Sequence, residues 1–507
     1  MPTAEIPGYY WDKDKRRYFK IERLQTAPPE APWSQESVKR RKVQDEQAEA
    51  DKARREKAKM GIRRHDAFHS HAMAGGMLAR EIHGGCGSEV DCGAAWAAGV
   101  VNKGHVSFAG HSMRPLSIGC LYVNGDDTKT GVGAAYMTLD DERVLGTYIT
   151  TDANSSISRE HPLWPMPVPN PFATGTQGIL CPQMSSMRYH KPTSCMLLTS
   201  RQPDTHCGIY LFSPWVTDAG DDFNPHWLLG QIKYYKRISM GQRHNRRLQS
   251  NSCCPAPASS NQICVVATNA GILSVSGNAE SLWLAPPRER HGLTHNHDVL
   301  DLDYQLGNHN VVFAGGRKPL VWAIDMRAPE ADWLATRLAA PHSSRTACPR
   351  PGAFSVAHIR SINPFHILAA GPCDAMAIYD IRSLSQSCDA AHIRRSTGSG
   401  PPLPLAKPLV TFPQYRNAAH IHTGWDVSPE LGAVAAAHDD GSLGLFSLRT
   451  GRLLEHPATI PSTKLRVPIR AMQFQSMPNE LLPSLFVAED SSICKYSFGA
   501  DKVHDEA

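Results

Sequence analysis

Beyond about residue 86 the chain shows no long helical periodicity. Short apolar runs alternate with turns rich in Gly, Pro, Asn, Asp and Ser, the pattern of consecutive β-strands. Cys264-Val265-Val266-Ala267-Thr268, Asn310-Val311-Val312-Phe313-Ala314, His366-Ile367-Leu368-Ala369-Ala370 and Leu485-Phe486-Val487-Ala488 are among the clearest runs. Sustained almost to the C-terminus, this texture predicts an all-β repeat fold.

A repeat is legible in the C-terminal half. Residues 296–327, 352–382 and 419–449 share one grammar. A strand is followed by a polar turn, a strand of small apolar residues, a Gly- or Asp-containing hairpin, and a strand closing on an arginine. Residues 467–498 repeat the pattern without the closing arginine. Asp439-Asp440-Gly441 predicts a two-residue hairpin turn, because an Asp-Gly step accepts the positive φ that twisted strands require. Weaker copies lie at 262–285, 184–213 and about 104–150. The total of seven predicts the blades of a single propeller. Pro/Ser/Gly-rich inserts at 151–183, 241–261 and 383–407 are expected to be surface loops.

The region before the repeats differs. Residues 1–34 form an aromatic motif in which Tyr9, Tyr10 and Trp11 precede Tyr18 and Phe19. With a turn at Asp12-Lys13-Asp14-Lys15 they predict a small hairpin, which must pack on something because two short strands alone are marginal. Residues 35–85 form a charged arm. Its first part, 35–60, lacks Gly and Pro and predicts a helix about 39 Å long. Ser34 suits its N-cap and Gly61 its end. Val38, Val43 and Met60 are too few to anchor it in a core, so it is either solvated or docked on another protein. Residues 86–507 complete the division as the propeller.

Composition narrows the class. The 507 residues are 41% apolar and 20% charged, enough for a large core. There is no apolar run of 18 residues and no apolar stretch near the N-terminus, so neither a membrane partner nor secretion is expected. Thirteen scattered cysteines without a Cys-x-x-Cys fit a reducing compartment better than a disulfide scaffold. The net charge of +5 is uneven: residues 1–64 hold 17 Lys/Arg against 11 Asp/Glu, leaving 36 against 37 for the remainder. A neutral body with a charged appendage points to a protein-binding module and makes nucleic acid an unlikely partner.

The endings Ile324-Asp325-Met326-Arg327 and Tyr379-Asp380-Ile381-Arg382 resemble the Trp-Asp-x-Arg ending of WD-repeat blades. Phe446-Ser447-Leu448-Arg449 is a weaker copy, with Ser447 in place of the aspartate. Together with Ile6-Pro7-Gly8-Tyr9-Tyr10-Trp11-Asp12, Lys15-Arg16-Arg17-Tyr18-Phe19-Lys20 and the charged helix, the chain resembles the WD-repeat substrate receptors of cullin-four RING ubiquitin ligases. The likeness covers the N-terminal segment and the C-terminal half, and 86–260 poorly. It implies a seven-bladed WD-repeat β-propeller with an N-terminal helical arm. It also implies a non-catalytic receptor, nuclear and cytoplasmic, whose one face docks on the ligase's damaged-DNA-binding adaptor and which recruits protein substrates. Arg327 and Arg382 are then the docking arginines, with Asp325 and Asp380 fixing the local turn and Arg449 as a third candidate.

Chemistry of the chain's own is not expected. There is no Gly-x4-Gly-Lys-Ser/Thr phosphate loop, Gly-x-Ser-x-Gly elbow or His-Glu-x-x-His pair. His65, His69 and His71 cluster, as do His295 and His297, but no Cys or carboxylate at ligand spacing accompanies them, so no metal or cofactor is expected. His422 and His297 read as hydrogen-bonders between blades. The rival function is a propeller scaffold in an RNA- or chromatin-associated assembly, using the basic arm on phosphates; Lys39-Arg40-Arg41-Lys42 within that arm matches a short basic nuclear-import stretch.

Overall fold

In the computed structural model the described residues are 9–12, 17–21, 34–50, 52, 92–107, 117–125, 133–138, 144–152, 155–158, 181, 183–201, 208–214, 232–239, 248–285, 298–328, 334–341, 354–385, 404–456, 468–477 and 480–499. The chain divides into two compact units, Met1–Val90 and Asp91–Ala507.

In the first unit, β1 (Tyr9–Asp12) and β2 (Arg17–Lys20) pair antiparallel, with Trp11 opposite Tyr18. Those two rings lie 4.6 Å apart. A helix, α1, covers residues 35–50 and is exposed along most of its length. Its first turn is capped as the sequence predicts: the Ser37 amide donates to Ser34 Oγ at 3.3 Å. The rest of the expected helix, 53–60, lies outside the described residues. Within this unit Arg41 donates to the Tyr10 hydroxyl and its guanidinium sits 5.3 Å from the centre of that ring. The hairpin therefore packs on the helix.

The second unit begins with a short helix, α2 (Cys92–Ala98), whose buried Trp96 donates to the Pro483 carbonyl at 3.1 Å. Antiparallel meanders follow. Strands β4 (Cys120–Asn124), β5 (Gly133–Thr138), β6 (Leu145–Thr151) and β7 (Ile157–Ser158) form one sheet. Strands β8 (Met184–His190), β9 (Cys195–Ser200), β10 (Gly208–Pro214) and β11 (Ile232–Ser239) form the next. Strands β12 (Ser250–Pro255), β13 (Gln262–Thr268), β14 (Gly271–Ser276) and β15 (Ser281–Ala285) form a third.

An eight-stranded sheet comes next. It holds β16 (Val299–Gln305), β17 (Asn308–Gly316), β18 (Leu320–Asp325) and β19 (Leu334–Leu338). It also holds β20 (His358–Ser361), β21 (His366–Gly371), β22 (Ala375–Ser385) and β23 (Leu405–Thr411), joined through a parallel β19–β23 pair. Three strands, β24 (Trp425–Ser428), β25 (Ala433–Ala437) and β26 (Leu443–Ser447), follow. The final sheet holds β27 (Met472–Gln475), β28 (Ser484–Glu489) and β29 (Ser492–Phe498). Its fourth strand is β3 (Val100–Ser107), from the start of the unit.

The arrangement is all-β and propeller-like. Each apolar cluster is shared by two successive meanders, and one is shared by the last sheet and the first. The β4–β7 and β8–β11 sheets meet through stacked Tyr122 and Tyr189 rings, 5.5 Å apart. The middle strand of a sheet is covered on both faces by the neighbouring sheets, as β25 is. Ala433, Ala435, Ala436 and Ala437 of β25 are all fully buried.

Four sequence expectations are corrected. The segment 241–261, expected as a loop, contains β12, the innermost strand of its sheet. Its Ser-Asn-Ser-Cys-Cys-Pro sequence has no apolar run because one side of an innermost strand faces a polar channel. Residues 104–107, assigned to the first repeat, belong to β3 and complete the last sheet. Asp439-Asp440-Gly441 forms a three-residue loop rather than a two-residue turn. The His438 amide donates to the Ser442 carbonyl at 2.8 Å, and Gly441 alone takes the positive φ, 82°. At 383–407, β22 runs on to Ser385 and β23 starts at Leu405, so the expected loop is shorter.

Lys495 of β29 is wholly buried and donates to Glu480 and, at 2.7 Å, to the Ser155 carbonyl. Burial lowers its pKa while Glu480 opposes that shift. Glu480→Ala should therefore destabilise the chain by about 3–5 kcal/mol, the cost of stranding a buried charge. Glu480→Ala combined with Lys495→Met should recover most of that loss. Thermal midpoints of the three proteins check both expectations.

Candidate functional site

Two features of the second unit bear on function: a rim that carries paired arginines, and a channel lined by the innermost strands.

Arg327 follows β18 and Arg382 lies on β22, at corresponding points of neighbouring meanders. The backbone is held the same way at both: the Met326 amide donates to Asn310 O at 2.9 Å, and the Ile381 amide to Phe365 O at 3.0 Å. Each arginine is clasped by the aspartate two positions before it. Arg327 Nε and Nη2 reach Asp325 at 3.0 and 2.8 Å, and Arg382 Nε and Nη2 reach Asp380 at 3.2 and 3.0 Å. Both backbone amides donate to the same carboxylates. The arginine side chains are 65% and 56% exposed, so these clasps orient the forks without burying them. The forks hold both carboxyls low, at about 2.

Arg449, the third candidate, occupies the equivalent place after β26, where the Leu448 amide donates to Gly432 O at 2.8 Å. Ser447 stands where the other two have a carboxylate, so this position lacks the bidentate clasp. The residues at the tryptophan place of the motif, Ile324, Tyr379 and Phe446, are all buried between sheets. Tyr379 keeps its hydroxyl satisfied by donating to Ala339 O at 2.8 Å. The position asks for apolar bulk, which explains how the motif tolerates losing its tryptophan.

The antiparallel register places these arginines on the side where β16 turns into β17 and β20 into β21. The turns expose Leu306 (52%) and Phe365 (44%). They are tied together: the Leu306 amide donates to Ser361 Oγ at 2.9 Å and Gln305 Nε2 to Pro364 O at 2.5 Å. The Arg382 guanidinium lies 4.1 Å from the Phe365 ring centre, a cation–π contact. On the same side the channel opens into a cavity of about 640 Å³ lined by Tyr122, Tyr189, Tyr304, Leu306 and Phe474 among others. Apolar surface, oriented guanidinium groups and a recess are what a protein dock requires.

Sequence reasoning found the arginines but missed their setting. Leu306 and Phe365 sit in turns, where single apolar residues carry no periodic signal. It also missed the channel's charged groups, Arg360, Asp301, Asp303 and Asp426. Asp301 accepts from Arg360 at 3.2 Å and from the Ile359 amide at 3.1 Å. Asp303 accepts from the Ser361 amide and Asp426 from the Phe474 amide, both at 2.7 Å. Burial raises the pKa of Asp303 and Asp426, and Arg360 opposes the shift at both. The signal available was a carboxylate inside an apolar run, as in Leu300-Asp301-Leu302-Asp303.

The N-terminal aromatics Tyr9, Tyr10, Trp11, Tyr18 and Phe19 gather in the hairpin of the first unit, as described. His422 contacts Arg201, its Nδ1 3.0 Å from Nη2. His65, His69, His71, His295 and His297 lie outside the described residues. Among the described residues no group of His, Cys, Asp and Glu could hold a metal ion.

No family model and no curated protein matches the chain. Among solved structures, a crystal structure of the WD40 β-propeller domain of Doa1 is similar at a TM-score of 0.43 and 12% identity, covering 79% of this chain and 98% of that one. At that level the propeller-like assignment rests on the strand order alone.

The clasps make a direct prediction. Asp325 and Asp380 should titrate near pH 2 by carboxyl-carbon NMR. Arg327→Gln should return Asp325 toward the ordinary value of about 3.9 and leave Asp380 where it is. Ordinary titration of Asp325 in the unaltered protein would contradict the bidentate geometry.

Proposed function

We propose that the chain is a non-catalytic substrate receptor. In this reading it docks through the Arg327–Arg382 rim on the damaged-DNA-binding adaptor of a cullin-four RING ubiquitin ligase and brings protein substrates to it. The fold is a seven-bladed WD-repeat propeller: the eight-stranded sheet counts as two blades joined at their outer strands, and the three-stranded sheet as a reduced one.

The observation that carries the reading is the pair of oriented, exposed arginines at equivalent places on adjacent meanders. In each, the aspartate takes the Nε and Nη2 edge of the fork, which leaves Nη1 for a carboxylate or carbonyl on a partner. Fixing the fork beforehand lowers the side-chain entropy lost on docking. The exposed Leu306 and Phe365 beside it supply apolar contact, so the dock is mixed rather than purely electrostatic. The resemblance of the two Asp-x-Arg endings and of the N-terminal aromatic motif to cullin-four receptors names the partner.

Arg327→Glu with Arg382→Glu should abolish co-purification of the adaptor and cullin from cells, with an unchanged melting temperature. Retention of both partners by the double variant would remove the rim from the account. Loss of the fold would mean that the arginines brace their meanders instead. A complex that disperses steeply with salt and carries nucleic acid would favour the rival scaffold reading, because phosphate contacts release counterions.

A further inference from the structure

The three rim arginines share a backbone position but not a setting. Strand register makes their surroundings comparable. Asp325 lies opposite Val311, Asp380 opposite His366, and Ser447 opposite Ala433. One place earlier on each partner strand, Asn310, Phe365 and Gly432 accept from the amides of Met326, Ile381 and Leu448. An asparagine and a valine therefore flank Arg327, a glycine and an alanine flank Arg449, and a phenylalanine and a histidine flank Arg382. Of the three positions, that of Arg382 alone supplies an aromatic ring, whose centre lies 4.1 Å from the guanidinium.

The turn that carries Phe365 is braced from within. Asn363 Oδ1 accepts from the Phe365 and His366 amides at 2.9 and 2.8 Å. Those two donors fix which end of the Asn363 amide is oxygen, so Nδ2 is the atom 2.7 Å from His366 Nδ1. An amide nitrogen only donates, so Nδ1 accepts and the neutral ring carries its proton on Nε2. Nε2 is the atom that faces Asp380 Oδ2, at 3.5 Å. The same oxygen takes Arg382 Nη2 at 3.0 Å. Near Arg327 the chain stops early. Asn308 Oδ1 accepts from the Asn310 amide at 3.1 Å, but Val311 has no polar atom to turn toward Asp325.

We propose that Arg382 is the anchor of the dock, held over Phe365 and backed through Asp380 by His366, and that it takes a carboxylate of the partner, with Arg327 as a weaker contact. The proposal rests on the reading that this rim is the docking face. A fork fixed by both a carboxylate and a ring loses less side-chain entropy on pairing than one fixed by a carboxylate alone. Well-packed arginines of this kind carry a large share of interface energy, and loosely held ones carry little. His366 does not reach the partner in this account; it is a positioning residue that acts through Asp380.

The test uses the full chain, first alone and then with the purified adaptor. In the free chain, nitrogen relaxation should show the Arg382 Nε–H more ordered than that of Arg327. Phe365→Leu, which keeps apolar bulk but removes the ring face, should lower the order of Arg382 to that of Arg327. His366→Leu should do the same, and His366→Gln, which can still present an N–H to Asp380, should not. Arg327 should be unmoved in all three. With the adaptor, Arg382→Gln should weaken binding by about tenfold or more, and Arg327→Gln by about threefold or less. Equal order of the two arginines in the free chain, or equal losses from the two single variants, overturns the anchor and leaves the rim as the dock. Loosening of both arginines together by His366→Leu overturns the positioning role. Full adaptor binding by both single variants and by the double variant removes the rim from the account, and the anchor with it.

Discussion

The ring depends on how each innermost strand reaches the backbone of the next. Strands at the centre of a propeller splay apart and cannot extend one hydrogen-bonded ladder around the axis, so side chains bridge the gaps. The Cys253 amide donates to Ser186 Oγ at 3.1 Å, and Asn251 Nδ2 donates to Val299 O at 2.6 Å. Asp301, Asp303 and Asp426 take amides of the following strand, and Gln473 closes on Val123, accepting from its amide at 2.7 Å and donating to its carbonyl at 3.0 Å. Between β20 and β24 the link is aromatic: Arg360 lies 5.5 Å from the Trp425 ring centre, and His358 stacks on that ring. These groups are polar because their partners are backbone, and buried because the channel is narrow. Each is costly to leave unpaired, which fixes the relative rotation of neighbouring sheets.

The proposed dock follows from the same constraint. A ring held at its centre leaves its turns free to vary. One set of turns carries Leu306, Phe365 and the clasped arginines.

The sequence was informative where side chains repeat and uninformative where they answer to the channel. Ala433 to Ala437 and the two Asp-x-Arg endings recur at corresponding places, so those meanders could be read directly. β12 could not, because its Ser250, Asn251 and Ser252 are chosen for bonds across the channel and give no apolar alternation. β3 was missed as the closing strand because its pairing with β29 joins opposite ends of the unit, a distance no local pattern records. The arginines were found by motif, but their clasp needed coordinates: only the structure shows both edges of a carboxylate meeting Nε and Nη2 at once.

The central claim is that one face of the ring is the dock. Hydrogen–deuterium exchange of the chain, with and without the purified adaptor, tests it most directly. The account predicts protection at 305–309, 325–328, 361–366 and 380–382, with little change around 251–252, 421–423 and 470. Protection confined to the latter segments, or none on either face, would contradict it.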